Sequence, residues 1–255
     1  MKIISYNVNG IRSATSKNFL GWLQATNADM VCLQEVKALP EQLAEILELI
    51  SQMGYHHYWH PAEKKGYSGV AILTKIKPNH VEVGCGEEWI DREGRILRAD
   101  FDDFSLMSLY MPSGSSGDER QTKKYEFMRF FEGYVAGLRE QIPNLIISGD
   151  YNICHTAMDI HNPKSNANSS GFLPEERAWM QLFLDNGFID TFRHFNKDPH
   201  HYTWWSFRAN SRAKNLGWRI DYHLATAPLL NRLKSVRILP DAVHSDHCPV
   251  LLELV

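Results

Sequence analysis

No run of residues in this sequence approaches the roughly 20 apolar positions that a helix needs to span a bilayer, which excludes a helical membrane span. A signal peptide is missing as well: Met1-Lys2-Ile3-Ile4-Ser5-Tyr6 leads straight into a strand pattern, and a cytoplasmic, monomeric protein with no membrane partner is the default expectation. Cysteine is scarce. The four present (Cys32, Cys85, Cys154, Cys248) show no paired metal-ligand spacing and three sit in or beside apolar runs, so reduced core thiols are expected, without a zinc site or structural disulfide. There is no surplus of positive charge: 27 Lys and Arg against 30 Asp and Glu leave a net charge of −3, which argues against a protein that coats nucleic acid but allows a locally basic face. With no internal repeat, low-complexity tract or linker, residues 1–255 read as one domain with a sizeable core.

What is present is organised around residues 145–152. Leu145, Ile146 and Ile147 suit a buried strand, Ser148-Gly149 is a small step, and Asp150 and Asn152 follow, one residue apart. Such a strand delivers both polar groups to its carboxyl end, where open α/β sheets bind ligands. A plain turn, with both side chains satisfying backbone donors, competes with that reading. Three other strand ends finish in similar residues and weigh against it.

Residues 2–8 read as a central strand closed by Asn7-Val8-Asn9-Gly10, with alternation pointing Asn7 and Asn9 to one side. A helix is predicted over 17–25, with Phe19, Leu20 and Leu23 as its apolar stripe. Residues 29–35 form a second buried strand ending in Glu35, either a surface carboxylate or a metal ligand. Pro40 opens a helix through Ile50, striped by Leu43, Ile46, Leu47 and Ile50. The runs 69–74, 96–101 and 105–110 predict antiparallel strands, with Asp102-Asp103 as a hairpin turn and Arg92, Arg95 and Arg98 as a solvated edge. A loop over 112–117 carries Arg120, Lys123 and Lys124 toward a long helix, 121–140. The polar stretch 161–171 has the length of a binding loop. Pro174 starts a helix whose apolar face is Trp179, Leu182 and Phe183, residues 202–207 predict an aromatic strand with one of Trp204 and Trp205 facing the core, and strands at 218–222 and 250–254 close the chain.

Glu35, Asp150, Asp221 and Asp246, with Asn7, Asn9 and Asn152, supply the oxygen donors that suit a hard cation such as Mg²⁺, leaving acids over for proton transfer. Each taken alone is equally a cap or a turn residue. His247 precedes the last buried strand. It is either a local partner of Asp246 or, with Asp221 accepting from one ring nitrogen, a group facing a phosphate oxygen or a water. The aromatic and basic run from Tyr202 to Arg219, including Arg208, Arg212 and Lys214, fits a nucleic-acid face, aromatics packing against a sugar or base and cations meeting phosphates.

Taken in order, Asn7-Val8-Asn9-Gly10, Leu33-Gln34-Glu35, Tyr110-Met111-Pro112, Gly149-Asp150-Tyr151-Asn152, Gly217-Trp218-Arg219-Ile220-Asp221-Tyr222 and Ser245-Asp246-His247-Cys248-Pro249 resemble the exonuclease III family of apurinic/apyrimidinic endonucleases. The likeness spans essentially the whole chain. It implies a four-layer α/β sandwich, two mixed β-sheets packed face to face with helices outside, and Mg²⁺-dependent hydrolysis of double-stranded DNA 5′ to abasic sites, with 3′-end trimming and 3′-5′ exonuclease action; Mn²⁺ is a possible substitute. It implies Glu35 as principal metal ligand with Asn7, Asn9 and Asp246 near the metal. Asp150 would orient or deprotonate the attacking water, Asn152 would hold the water or phosphate, and Tyr110 and His247 would contact the phosphate, with Asp221 orienting the histidine. Trp204, Trp218 and Ile220 match the family's pocket for a flipped abasic sugar, Ser170 would leave room for that sugar, and Arg208 matches a residue that enters the DNA stack. Which of Asp150 and His247 is the base stays open. Ser113 departs from the family, which often has Asn there. Pro112-Ser113-Gly114, residues 174–179 and Asn215-Leu216-Gly217-Trp218 also resemble the catabolite repression control branch, RNA-associated regulators of the same fold without nuclease activity. That branch has lost several acidic and histidine positions, whereas Glu35, Asp150, Asn152, Asp246 and His247 are all present here, so hydrolysis is the expectation.

Overall fold

The computed structural model describes Met1–Val255. Its strands are β1 (Lys2–Asn7), β2 (Met30–Gln34), β3 (His56–His60), β4 (Val70–Thr74), β5 (His80–Val83), β6 (Ile96–Asp100), β7 (Ser105–Tyr110), β8 (Leu145–Asp150), β9 (Phe188–Asp190), β10 (Trp204–Trp205), β11 (Gly217–Trp218), β12 (Asp221–Thr226), β13 (Leu233–Ile238) and β14 (Val250–Leu254). The helices are α1 (Ile11–Ser16), α2 (Phe19–Thr26), α3 (Ala44–Gln52), α4 (Glu88–Asp91), α5 (Asp118–Gln141), α6 (Pro174–Asp185) and α7 (Thr191–Phe195). One six-stranded sheet runs β13-β14-β1-β2-β4-β3 and the other β5-β6-β7-β8-β12-β9, while β10 and β11 form a separate pair. Each large sheet is antiparallel apart from one central parallel pair, β1 with β2 and β7 with β8. This is the expected sandwich of two mixed sheets. No helix is long and apolar enough to cross a membrane.

Alternation along the central strands builds the layers. Ile3, Met30, Cys32, Leu106, Ile146 and Ala225 point between the sheets. Their neighbours point outward: Ile4, Tyr6, Val31 and Leu33 under α2 and α3, and Leu145 and Ile147 under α5 and α6. Two of the outer aromatics, Phe127 and Phe131, stack at 5.6 Å, and each large side chain so buried contributes about 1.5–3 kcal/mol. Gly149 is required by this geometry, since a Cβ there would stand 1.9 Å from the Leu109 carbonyl oxygen of the parallel neighbour.

The inward parity of β1, β7, β8 and β12 continues to their ends at the site. Ser5, Ser108, Ser148 and His223 form a buried polar row, and one pleat further along each strand come Asn7, Tyr110, Asp150 and Asp221. Within that row His223 Nδ1 meets Ser148 Oγ at 2.7 Å and Nε2 meets the Val250 carbonyl at 2.9 Å, which assigns the ring proton to Nε2. Burial holds His223 down at about 4. The unfolded chain takes up that proton near 6.5, so between pH 6.5 and 4 it binds more protons than the folded one and stability falls with pH, by about 3 kcal/mol in all. Asp150, pushed upward, contributes with the opposite sign in this window, so the His223 share is read as the difference in the slope of Tm against pH between wild type and H223Q, with wild type losing more stability as pH falls.

Several expectations are corrected. The stretch predicted as one helix over 17–25 is preceded by α1, from which a left-handed Asn18 (φ 69°) separates α2. The helix from Pro40 is a 3₁₀ turn, Pro40–Gln42, followed after Leu43 by α3. On α6 Leu182 is exposed and Met180 takes its place in the core. Arg92 is exposed, but Arg95 and Arg98 are buried: Arg95 donates to Glu93, Tyr67 and the Tyr110 carbonyl, and Arg98 to Asp100. The aromatic strand shrinks to Trp204–Trp205, with Trp205 inward and Phe207 outside it and exposed.

Candidate active site

Three of the predicted residues converge most closely. Ligating atoms of Glu35, Asp150 and His247 all lie within 4.8 Å of one another. Asp150 arrives at the end of inward-facing β8 and His247 from the loop before β14, bridged to Trp204, whereas strand parity would send Glu35 outward. A left-handed backbone at Glu35 (φ 50°) turns it back, and Asn9 (φ 45°) and Asn152 (φ 52°) make similar turns at their strand ends.

Asn7 braces the two acids. Its Nδ2 donates to Glu35 Oε1 at 2.8 Å and to Asp150 Oδ2 at 2.9 Å, and its Oδ1 accepts from the Asn9 amide at 3.0 Å. Asn9 in turn donates to Asp246 Oδ1 at 2.9 Å and accepts from Lys37 Nζ at 2.5 Å. Both carboxamides thus orient the neighbouring acids, Asn7 against Glu35 and Asp150 and Asn9 against Asp246. Asp246 is likewise engaged, by Asn9 and by Trp204 Nε1 at 3.0 Å, and ties the acidic floor to the aromatic wall.

Asp221 Oδ2 holds His247 Nδ1 at 2.8 Å, leaving Nε2 3.8 Å from Asp150 Oδ2. The other oxygen, Asp221 Oδ1, is buried without a hydrogen-bond partner. Burial would lower His247, but the Asp221, Asp150 and Asp246 carboxylates outweigh it and raise the imidazole above its ordinary value. Burial and then the Asp221 carboxylate, against His247, push Asp150 upward. Its Oδ1 accepts from the Asn152 amide at 2.8 Å, while Asn152 Nδ2 donates to the Met111 carbonyl. Tyr110 is buried, and its phenol is raised first by burial and then by Glu35. The crowding of Glu35, Asp150 and Asp221, with one carboxylate oxygen unsatisfied, is the environment into which a divalent cation fits.

These groups floor a cleft of about 910 Å³ that is lined further by Trp204, Trp218 and Ile220 and by Ser170 and Gly171, the last lying against the Trp218 ring. Trp204 and Trp218 meet edge to face at 6.0 Å over a small apolar base of Cys154, Ile160, Phe172 and Ile220. Arg208 is exposed on the neighbouring loop, and Lys214 borders a different groove beside His161 and His200. Arg212 does not reach the cleft. Its guanidinium donates to the carbonyls of Pro240, Ala242 and Ser245 and covers Trp205, so it secures the loop before Asp246. Arg219, also read as basic surface, is fully buried on Asp159 and Asp190.

Sequence reasoning passed over Lys37, whose ammonium sits 2.8 Å from Glu35 Oε2. Its position two residues after the acid was the available signal. Buried His223, Asp159 and Glu176 left no local pattern to find.

Two inward-facing sheets whose strand ends converge on acids and an imidazole define a hydrolase architecture, and comparison with known proteins gives it a family. Residues 4–247 match the Endonuclease/Exonuclease/phosphatase family, and the chain belongs to it. It is 40% identical to an exodeoxyribonuclease of Bacillus subtilis, over 99% of this chain and 98% of that protein. It is 41% identical to the DNA repair nuclease APEX1 of Danio rerio, over 100% and 82%. Among solved structures, an AP endonuclease from Archaeoglobus fulgidus superimposes with a TM-score of 0.89 at 28% identity, covering 100% of this chain and 99% of that one. The protein is a phosphodiester-hydrolysing nuclease of the exonuclease III and AP endonuclease type.

Proposed function

We propose that the protein is a Mg²⁺-dependent DNA-repair phosphodiesterase that cuts double-stranded DNA on the 5′ side of abasic sites, trims blocked 3′ ends and degrades duplex from 3′ ends. The observation that carries this reading is the meeting of Glu35, Asp150 and His247 within 4.8 Å at the floor of a cleft walled by two tryptophans. Glu35 is the principal holder of the cation, which supplies neutralisation of charge developing on the phosphate. Asp150, fixed by Asn7 and the Asn152 amide, accepts the proton of the attacking water. His247, kept protonated by Asp221, donates to a phosphate oxygen, and Tyr110 faces the same group. An abasic sugar, with no base to unstack, is the cheapest nucleotide to turn out against Trp204, Trp218 and Ile220. Arg208, exposed on the loop after Trp205, enters the DNA stack in this reading.

A duplex carrying one abasic analogue tests the reading. Incision 5′ to the lesion is expected with Mg²⁺, with weaker or equal cutting in Mn²⁺ and none in chelator. Absence of cutting with either metal would refute it and return the chain to the regulator reading.

A further inference from the structure

A lysine and a glutamate lie in the interior beside the site without belonging to it. Lys124 of α5 and Glu176 of α6 both have 0% side-chain exposure, with Nζ and Oε1 2.6 Å apart. A buried pair of this kind adds little net stability, because desolvating both ions offsets their attraction. What the pair holds is backbone. Lys124 Nζ donates to the Asn152 carbonyl at 2.7 Å, and Glu176 Oε2 accepts from the amides of Gly171 at 2.6 Å and Leu173 at 3.0 Å. Asn152 is in the left-handed region and its own amide fixes Asp150 Oδ1, so a shift of that carbonyl moves the carboxylate. Gly171 (φ 94°) ends the long polar loop. Its carbonyl accepts from the Cys154 amide at 2.7 Å, and a Cβ there would lie 3.0 Å from the Trp218 ring and 3.1 Å from the Asn152 carbonyl oxygen.

We propose that Lys124 and Glu176 are a positioning pair that locks the Asp150–Asn152 turn to the wall formed by residues 168–171, so that the water-activating carboxylate and the sugar-facing loop keep one spacing. The proposal rests on the hydrolase reading above and adds to it how two distant segments of the cleft are kept in register.

Two charge-neutral double variants separate positioning from stability. K124M/E176L substitutes apolar contact and removes the donor to Asn152 and the acceptor for Gly171, whereas K124Q/E176Q is neutral but keeps amide donors and acceptors. Abasic-duplex incision, Tm and hydrogen exchange of peptides covering 150–154 and 168–173 are measured beside wild type. K124M/E176L is expected to lower Tm, because the Asn152 carbonyl and the Gly171 and Leu173 amides lose their partners, to lose about tenfold or more in kcat while still folded at the assay temperature, and to exchange faster in both peptides. K124Q/E176Q is expected to recover part of each loss. Wild-type kcat in a folded K124M/E176L, or faster exchange in only one peptide, overturns the proposal. If K124M/E176L does not fold, K124Q/E176Q decides: kcat and protection falling together support the pair, and either changing alone overturns it. Exchange is read without substrate, so failure of wild type to cut an abasic duplex would strike the hydrolase reading while the exchange arm still judges the pair.

Discussion

Asp150→Asn should lower kcat on an abasic duplex by about 10³- to 10⁴-fold, at the upper end of what one general base contributes, with KM little changed. The amide has nearly the carboxylate's shape. Its Oδ1 still accepts from the Asn152 amide, while its Nδ2 replaces the oxygen that accepted from Asn7, so that one bond is lost with the charge. What disappears is the carboxylate proposed to accept the water's proton, and with it the charge that faces His247 Nε2 at 3.8 Å. The same substitution should raise Tm in chelator, because it relieves a buried carboxylate crowded by Asp221 and Glu35. A loss of kcat under tenfold would remove Asp150 from the role of base and leave His247 as the candidate.

The largest stability effect is expected behind the aromatic wall. Arg219 lies between Trp218 and Ile220 in sequence, and its guanidinium spans Asp159 at 2.7 Å and Asp190 at 2.7 Å while its amide donates to the Asp159 carbonyl. Burial would raise Asp159, but Arg219 and Arg193 outweigh it and hold the carboxyl far below its ordinary value. Arg219→Met leaves these acids short of a partner in the interior, a change that costs about 3–5 kcal/mol, or about 10 °C in Tm for a chain of this size. Arg219→Lys should recover only part of it, since one ammonium does not match two carboxylates as a planar fork does. Thermal unfolding in calorimetry measures both. With Asp159 ionised by its partners, acid should unfold wild type more readily than neutral pH does, as that carboxylate is protonated.

How much of this was legible varies with the range of the interaction. Asp150 and Asn152 were readable because a buried strand ending in a Ser-Gly step is a local pattern, and Gly149 proved necessary for close approach to β7. The Arg95 reading failed because a guanidinium that satisfies Glu93, Tyr67 and a carbonyl 15 residues away looks, along the chain, like any surface arginine. Arg212 misled in the same way, its partners lying about 30 residues on. Asn7 and Asn9 were placed correctly at the strand end, yet whether an amide offers nitrogen or oxygen depends on neighbours brought in by folding.

The sequence by itself determined most of the central strands and the polar groups at their ends, because period-two alternation and turn chemistry act between neighbours, while the edge strands β3, β5, β9 and β13 carried no pattern strong enough to read. Only the tertiary structure decided which polar groups face one another, and so which carboxylate is crowded, which imidazole stays charged and which lysine disappears into the interior. Those outcomes depend on distances of a few ångströms between residues far apart in sequence, 143 positions between Asn7 and Asp150 and 237 between Asn9 and Asp246, where the low dielectric of the interior makes each contact strong.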